Sequence, residues 1–410
     1  MKRAAAALLF LAVRIVYLYA REPFFDELYT RWMAKQPASS IVRHLLHDSG
    51  PPLYYFLARF PSVDALRWLS LVFATIAFFV VIRRSVLAAA LLAIYAPAVF
   101  YATEARAYAL CAMLVAMGVL LIDEGRPFAA AVELVLAAYA HYYGVLFFPL
   151  LLFGRTPCAP TGRGARRAPQ AFFLAVALFV PGFVLAFHQP AEAMQWNVVH
   201  PFWVLLASVA IAAVLARTWR FAPAVLIPAG LVLAFALAGR NVYFPMRFES
   251  VLAVPLVLWI AVSLERWQPS IRVAIVSVLM VAGAFFTVRG IAEEMRRPSD
   301  ARVRAAAFAA RFGAPVVASD YCYLFAWSRL GDRVKAFPPQ QGEHPGWYSP
   351  LSQEAALAAA CSLPMNGFVF ISGAGTPELA AVQRTRRTQV QFRDGPAVVL
   401  AVEPLTSTVH

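Results

Sequence analysis

The chain has 410 residues, 61% of them hydrophobic and only 14% charged, with a formal net charge of +14. A soluble domain carries roughly 45–50% apolar and about 25% charged residues, so this composition excludes an ordinary water-soluble globule. The Arg residues that set the charge are scattered between apolar runs rather than gathered into one stripe interleaved with aromatics, which argues against nucleic acid as a partner.

Taken in chain order, the apolar runs have the length that a bilayer core of about 30 Å demands. They predict membrane spans at 4–20, 66–82, 86–102, 105–122, 128–141, 142–153, 171–187, 201–216, 222–238, 251–264 and 271–288. That is about eleven crossings, several shorter than the usual twenty residues or so. The pair flanking His141 also reads as one long helix with a break, which would reverse the sidedness of everything after it. The first run resembles a signal peptide, because Lys2 and Arg3 precede it and Ala20 is a tolerable cleavage position. Arg14 interrupts that run, and a charge at such a depth faces a protein interior or a wet cavity, so a retained helix is the expectation.

Lys2 and Arg3 predict a cytoplasmic N-terminus under the positive-inside rule. The loops then expected inside carry Arg83 and Arg84, Arg126, Arg155 with Arg163, Arg166 and Arg167, Arg217 with Arg220, and Arg266 with Arg272. Every one is basic. The expected outer loops are poorer in charge, with Arg240 and Arg247 as exceptions that need their own reason. The long first outer loop, about residues 21–65, also carries basic residues, but long loops report topology weakly.

After the last apolar run the polarity becomes ordinary. Residues 301–312 read as an amphipathic helix, and short apolar runs at 316–319, 368–372 and 398–402 read as strands between Pro, Gly and Asn. The expected architecture is therefore a mostly α, polytopic helical bundle over residues 1–290, followed by a small α/β domain over 291–410. An odd number of spans puts that domain outside the cytoplasm. There Cys322 and Cys361 could be joined by a disulfide or could remain two buried thiols, and the sequence weights the two readings evenly. No Cys spacing matches a zinc or redox motif.

Five polar constellations fall at expected outer ends. Asp26 and Glu27 follow the first span directly. Such a pair can supply a general base with a supporting carboxylate, or simply begin a helix with Asp26 as N-cap and Glu27 near the positive dipole end; the two readings carry equal weight. His47 and Asp48 precede Pro51 and Pro52, which hold a defined corner whether or not it has chemistry. Glu104 and Arg106 stand two residues apart, too close along a helix to face each other, so they reach different partners or tie spans together. Tyr108 continues that run. His141, Tyr142 and Tyr143 read equally as an ordinary interfacial belt. Arg247 is an always-charged fork suited to a phosphate oxyanion, which also explains a basic residue on the disfavoured face.

In their order, Asp26-Glu27, Pro51-Pro52-Leu53-Tyr54-Tyr55, the segment from Glu104 to Leu110, His141-Tyr142-Tyr143-Gly144, and Arg247 before Pro255 resemble the membrane glycosyltransferases of the GT-C type. Within that type the resemblance is to bacterial family 39 and the RgtA/B/C/D-like proteins related to protein mannosyltransferases, and it covers about residues 1–290. It implies a sugar donor on a polyprenyl phosphate and inverting transfer to an unknown envelope acceptor, whether protein, lipid or polysaccharide, at the outer face of a bacterial cell membrane. It further implies Asp26 as the base that takes the acceptor's proton and Glu27 as its support. Arg106 and Arg247 would bind the leaving phosphate, with Glu104, Tyr108, His141 and Tyr142 beside them. No cofactor is required by the motifs, and a divalent cation stays open. The family often has His directly before the paired prolines, whereas Gly50 stands there in this chain and His47 lies three residues earlier. Two other functions fit a chain of this kind: a transporter or flippase of lipid-linked saccharides, and a non-catalytic assembly subunit. A transporter would place its polar groups near the midplane on broken helices and show internal repeats; no repeat is visible, and only Arg14 sits deep.

Overall fold

The computed structural model describes residues 2–60, 62–153, 164–189, 200–319, 321–339 and 351–404. Arg155, Cys158 and Arg163 of an expected inner loop, and residues 190–199 of an expected outer loop, lie outside that set. The chain divides into two compact units, one made of Met1–Arg21 with Ala34–Arg296 and the other of Glu22–Met33 with Arg297–His410.

The larger unit is helical. Among the described residues, five helices are long and apolar enough to cross a membrane, and five shorter apolar helices accompany them. In chain order the unit holds α1 (Lys2–Ala20), the C-terminal end of α2 (Phe25–Lys35), α3 (Ala38–Leu45), α4 (Leu53–Leu57), α5 (Val63–Arg84), α6 (Val86–Ile94), α7 (Ala96–Phe100), α8 (Tyr108–Asp123) and α9 (Pro127–Ala140). It continues through a 3-10 turn over Tyr142–Phe147 to α10 (Leu150–Phe153), α11 (Gly164–His188), α12 (Trp203–Leu215), α13 (Pro223–Leu237), α14 (Arg247–Leu264) and α15 (Pro269–Arg296).

Helix α14 is enclosed by its neighbours along nearly its whole length, whereas the only buried residue of α15 is Thr287. The outward side chains of α15, among them Val273, Val278, Val281, Phe285 and Phe286, are apolar. Apolar residues facing outward around a helical core is the arrangement a bilayer requires. Single polar residues punctuate the spans. Ser85 ends α5 and caps α6 at once, its hydroxyl accepting from the Ala88 N–H at 3.2 Å.

Two expected spans are not continuous helices. The run 86–102 breaks at Tyr95, where α6 ends in extended backbone and Pro97 opens α7. Proline has no N–H, so the Ala93 carbonyl loses its ordinary partner four residues on, and its neighbours lose theirs to the bend. Arg14 replaces them: its Nη1 donates to the Ala93 carbonyl at 3.0 Å, and its Nη2 to those of Leu92 at 3.1 Å and Ala98 at 3.2 Å. Thr287 donates to the Ile94 carbonyl at 2.9 Å. Gly283 and Gly290, on the same face of α15, let that helix lie close to Ile94 and Phe100. The run 142–153 is likewise a 3-10 turn and a short helix. A Cβ on Gly144 would stand 2.3 Å from the Ala138 nitrogen, so this glycine permits the turn to fold back along α9.

Inner-loop residues expected to share a face converge at one end of the bundle. Arg220 clasps Asp123 bidentately at 2.9 and 2.7 Å, Arg84 pairs with Glu124, and Ser85 reaches Glu265 at 3.4 Å.

The smaller unit carries the sheet. Its elements are the first turns of α2, then α16 (Ala301–Ala309), β1 (Val316–Ala318), α17 (Cys322–Leu330), β2 (Val334–Ala336), α18 (Gln353–Ala360), β3 (Phe368–Gly373), α19 (Pro377–Thr385), β4 (Thr388–Asp394) and β5 (Ala397–Val402). The strand order is β2-β1-β3-β5-β4, with β2, β1 and β3 parallel and β5 antiparallel to both β3 and β4. Val317, Phe337, Phe370, Leu379 and Leu400 form its core. The three strands expected from apolar runs are β1, β3 and β5. The sequence missed β2 and β4, the two edges, where one strand is only three residues long and the other, TQVQFRD, is mostly polar and half-exposed. Cys322 is buried and Cys361 exposed, and no disulfide joins them.

Candidate functional site

Asp26 and Glu27 lie in the smaller unit. Helix α2 begins at Phe25, so Asp26 sits inside its first turn and is not the N-cap. The capping is done by the neighbour: Glu27 is fully buried, and its Oε2 accepts from the backbone N–H of Phe24 at 3.4 Å, while the Glu27 N–H returns to the Phe24 carbonyl at 3.0 Å. The reach-back of Glu27 to the Phe24 amide is one half of a capping box, the other half being replaced by a bond to the Phe24 carbonyl. It fixes the backbone around Asp26, whose side chain is half-buried and whose carbonyl accepts from Thr30 Oγ1 at 3.0 Å. The helix is tied to the rest of its unit by Arg31, which donates to the Ser328 carbonyl at 3.0 Å and lies 5.4 Å from the Trp327 ring, and by the edge of Phe25 on Tyr321. Desolvation there holds the Arg31 guanidinium below its ordinary pKa.

The other expected site residues lie in the helical unit, and most of them meet. The Arg247 guanidinium stands 5.6 Å from the Tyr108 ring and 5.3 Å from that of Phe244. Tyr108 packs edge-on against Tyr101 at 5.0 Å and lies 5.0 Å from the His141 ring. Arg106 and Arg247 both come within electrostatic range of His141, and Arg106 Nη1 donates to the Tyr55 hydroxyl at 3.4 Å. Two half-buried guanidiniums, two phenols and an imidazole thus share one aromatic-walled cluster. His141 Nδ1 accepts from the Tyr143 N–H at 3.2 Å, so in the neutral ring Nε2 is the donor. Glu104 faces Arg21, with Oε2 4.0 Å from Nη1. The expectation that Glu104 and Arg106 reach different partners matches this geometry.

A small cavity of about 30 Å³ lies beside the cluster. Tyr101 and Tyr108 stand among its lining residues, Arg14 and Phe10 among the others, and half of the rest are alanines from α5, α8 and α14.

His47 and Asp48 follow α3 in a tight turn, with the His47 side chain exposed. Sequence reasoning missed what clasps this corner. Gln189, buried at the end of α11, donates from Nε2 to the carbonyls of Leu45 and Gly50, each at 2.9 Å, and its Oε1 accepts from the Tyr142 hydroxyl at 3.0 Å. One amide joins the Gly50-Pro51 corner to the His141-Tyr142 segment. A polar residue closing a long apolar run was the available signal. Arg21, which meets Glu104, was passed over as one loop charge among many.

Among the described residues, no group of three or more His, Cys, Asp or Glu could hold a metal ion.

No family model matches this chain, and no curated protein matches it. Solved structures do. ArnT from Cupriavidus metallidurans in the apo state is similar with a TM-score of 0.56 and 13% identity, covering 96% of this chain and 97% of that one. The crystal structure of the same protein bound to undecaprenyl phosphate is similar with a TM-score of 0.55 and 14% identity, covering 97% of each chain. The chain has a GT-C fold. At this identity the likeness is one of architecture, and it extends over both the helical unit and the sheet-bearing one.

The segment that presents Arg247 is unusual in its backbone. Met246 is the N-cap of α14 and has φ +69°, the only positive φ outside glycine among the described residues. A non-glycine residue held in that region costs on the order of 1–3 kcal/mol and persists only where its surroundings enforce it. Arg247 is the next residue and the first of the helix. Its carbonyl accepts from Ser250 Oγ at 2.7 Å.

Proposed function

We propose that this chain is a membrane glycosyltransferase that takes a sugar from a polyprenyl-phosphate donor and transfers it, with inversion, to an envelope acceptor at the outer face of a bacterial cell membrane. The observation that carries this reading is the convergence of Arg106 and Arg247 on Tyr108 and His141 within a GT-C fold. Cleaving a sugar from a lipid phosphate leaves a phosphate with one more negative charge. Paired guanidiniums in a partly desolvated, aromatic-walled site stabilise that charge as it develops, and their forks match phosphate oxygens. A relative in fold has been solved with undecaprenyl phosphate bound, which supports the donor class.

In this reading Asp26 removes the acceptor's proton. Glu27, through its bond to the Phe24 amide, holds Asp26 in place. The basic inner loops support a cytoplasmic N-terminus, and the odd number of spans expected from the apolar runs supports an extracytoplasmic C-terminal unit. The sugar and the acceptor follow from none of these features.

A transporter of lipid-linked saccharides is favoured by one feature, the α6–α7 break with a cation on its freed carbonyls. Reconstituted membranes separate the two readings. Glycosyl transfer from polyprenyl-phosphate sugars is measured for the wild type and for Asp26→Asn at matched expression. The enzyme reading expects transfer by the wild type and a loss of about two orders of magnitude or more in the variant, the scale of a lost general base. Equal rates would remove Asp26 from the chemistry. Donor movement across the bilayer without transfer by either protein would favour the transporter.

A further inference from the structure

The strained residue before Arg247 is braced by groups that the reaction, as read above, does not use. Glu249 is fully buried in the first turn of α14, and its Oε1 accepts from the Tyr243 hydroxyl at 2.6 Å. The same carboxylate lies within electrostatic reach of the backbone N–H of Met246, the N-cap of the helix. Tyr243 is fixed in its turn. Its ring stacks on Phe202 at 4.5 Å, and its backbone N–H donates to Asn241 Oδ1 at 3.2 Å. Phe248, between Arg247 and Glu249, packs edge-on against Tyr143 at 5.3 Å, so the same turn touches the segment that carries His141. Seven residues, from Tyr243 to Glu249, thus form a turn closed by one buried phenol–carboxylate hydrogen bond.

We propose that Tyr243 and Glu249 are a positioning pair that holds Met246 in the left-handed conformation and thereby aims Arg247 at the phosphate of a polyprenyl-phosphate ligand. The proposal rests on the reading of Arg247 given above and assigns two residues to it. The physical logic is that a guanidinium on a flexible stem loses affinity when it must be ordered on binding, whereas one whose backbone is already set does not. Without the pair, Met246 relaxes to negative φ, the first turn of α14 shifts, and the Arg247 stem leaves the Tyr108 ring.

The test is equilibrium binding of undecaprenyl phosphate to the full chain in nanodiscs, with the unphosphorylated polyprenol as control and thermal melting of each variant measured alongside. Arg247→Ala is expected to weaken binding of the phosphorylated lipid roughly tenfold or more, the scale of a hydrogen bond to a charged group, and to leave the polyprenol unchanged. Tyr243→Phe, which removes only the hydroxyl, is expected to weaken it about fivefold in the same phosphate-specific way, the scale of an ordinary hydrogen bond. Glu249→Gln keeps an acceptor for the phenol and is expected to stay within about twofold of wild type, less than a lost hydrogen bond. The decisive variant adds Met246→Gly to Tyr243→Phe. Glycine adopts positive φ without the brace, so affinity is expected to return to within about twofold of wild type.

If Arg247→Ala binds as the wild type does, the reading of Arg247 fails and the positioning pair with it. If Arg247→Ala weakens binding and Tyr243→Phe does not, the reading stands and the pair is overturned. If Tyr243→Phe weakens binding but Met246→Gly does not restore it, or if the polyprenol weakens equally, the pair serves packing and not the aim of Arg247.

Discussion

The helical unit leaves regular backbone at two places beside its polar cluster, and it closes them in opposite ways. At the α6–α7 break, helical carbonyls are orphaned, and a cation from another helix and a hydroxyl from a third collect them. At the start of α14, Glu249 of the same helix accepts a hydrogen bond from the Tyr243 phenol six residues back, and its carboxylate lies within electrostatic reach of the Met246 amide. The charges follow from which end of a helix is exposed, since carbonyl ends attract cations and amide ends attract anions. The teaching lies in the range. The first closure joins residues 78 to 193 positions apart and belongs to assembly of the bundle; the second is local and belongs to the aim of one side chain.

The largest effect is expected at the long-range closure. Arg14→Leu abandons three carbonyls of the break in a low-dielectric interior, and each hydrogen bond to a charged group contributes about 1.5–3 kcal/mol. A fall in melting temperature in detergent, with a large loss of folded protein, is the expected outcome; a variant melting with the wild type would mean that the break finds other partners. Arg14→Lys should recover part of the loss, because a point charge reaches fewer of the carbonyls than a fork. Next comes the fold-back beside His141. Gly144→Ala would set a methyl against α9 backbone, with an expected penalty of about 1–3 kcal/mol and a weakened cluster, read by melting and by undecaprenyl phosphate affinity together. The smallest is Thr287→Val, which removes one hydroxyl from the Ile94 carbonyl and should lower stability by about 1 kcal/mol, with no change in lipid binding. A change in binding there would erase the proposed division between assembly and aim.

Much of this architecture was legible in advance. Long apolar runs gave the helices of the bundle, and basic loops anticipated which helix ends meet around Asp123 and Arg220. The buried strands β1, β3 and β5 announced themselves by unbroken apolar runs, whereas the edges β2 and β4 did not, because an edge strand faces water on its open side and is composed accordingly. The cluster of Arg106, Tyr108, His141 and Arg247 was anticipated as a set of separate helix ends. Asp26 was expected as an N-cap or a base, and the capping fell to Glu27 instead.

The sequence by itself determined that this is a helical membrane chain with a small sheet-bearing unit, because hydropathy and strand periodicity are local properties. Only the tertiary structure decided that Arg14 serves a broken helix, that Gln189 clasps the Gly50-Pro51 corner to Tyr142, and that Tyr243 and Glu249 stand behind Arg247. Those are choices of partner. A buried polar group must be satisfied wherever it falls, but which group satisfies it depends on what packing brings within about 3 Å, and no local pattern in the chain encodes that distance.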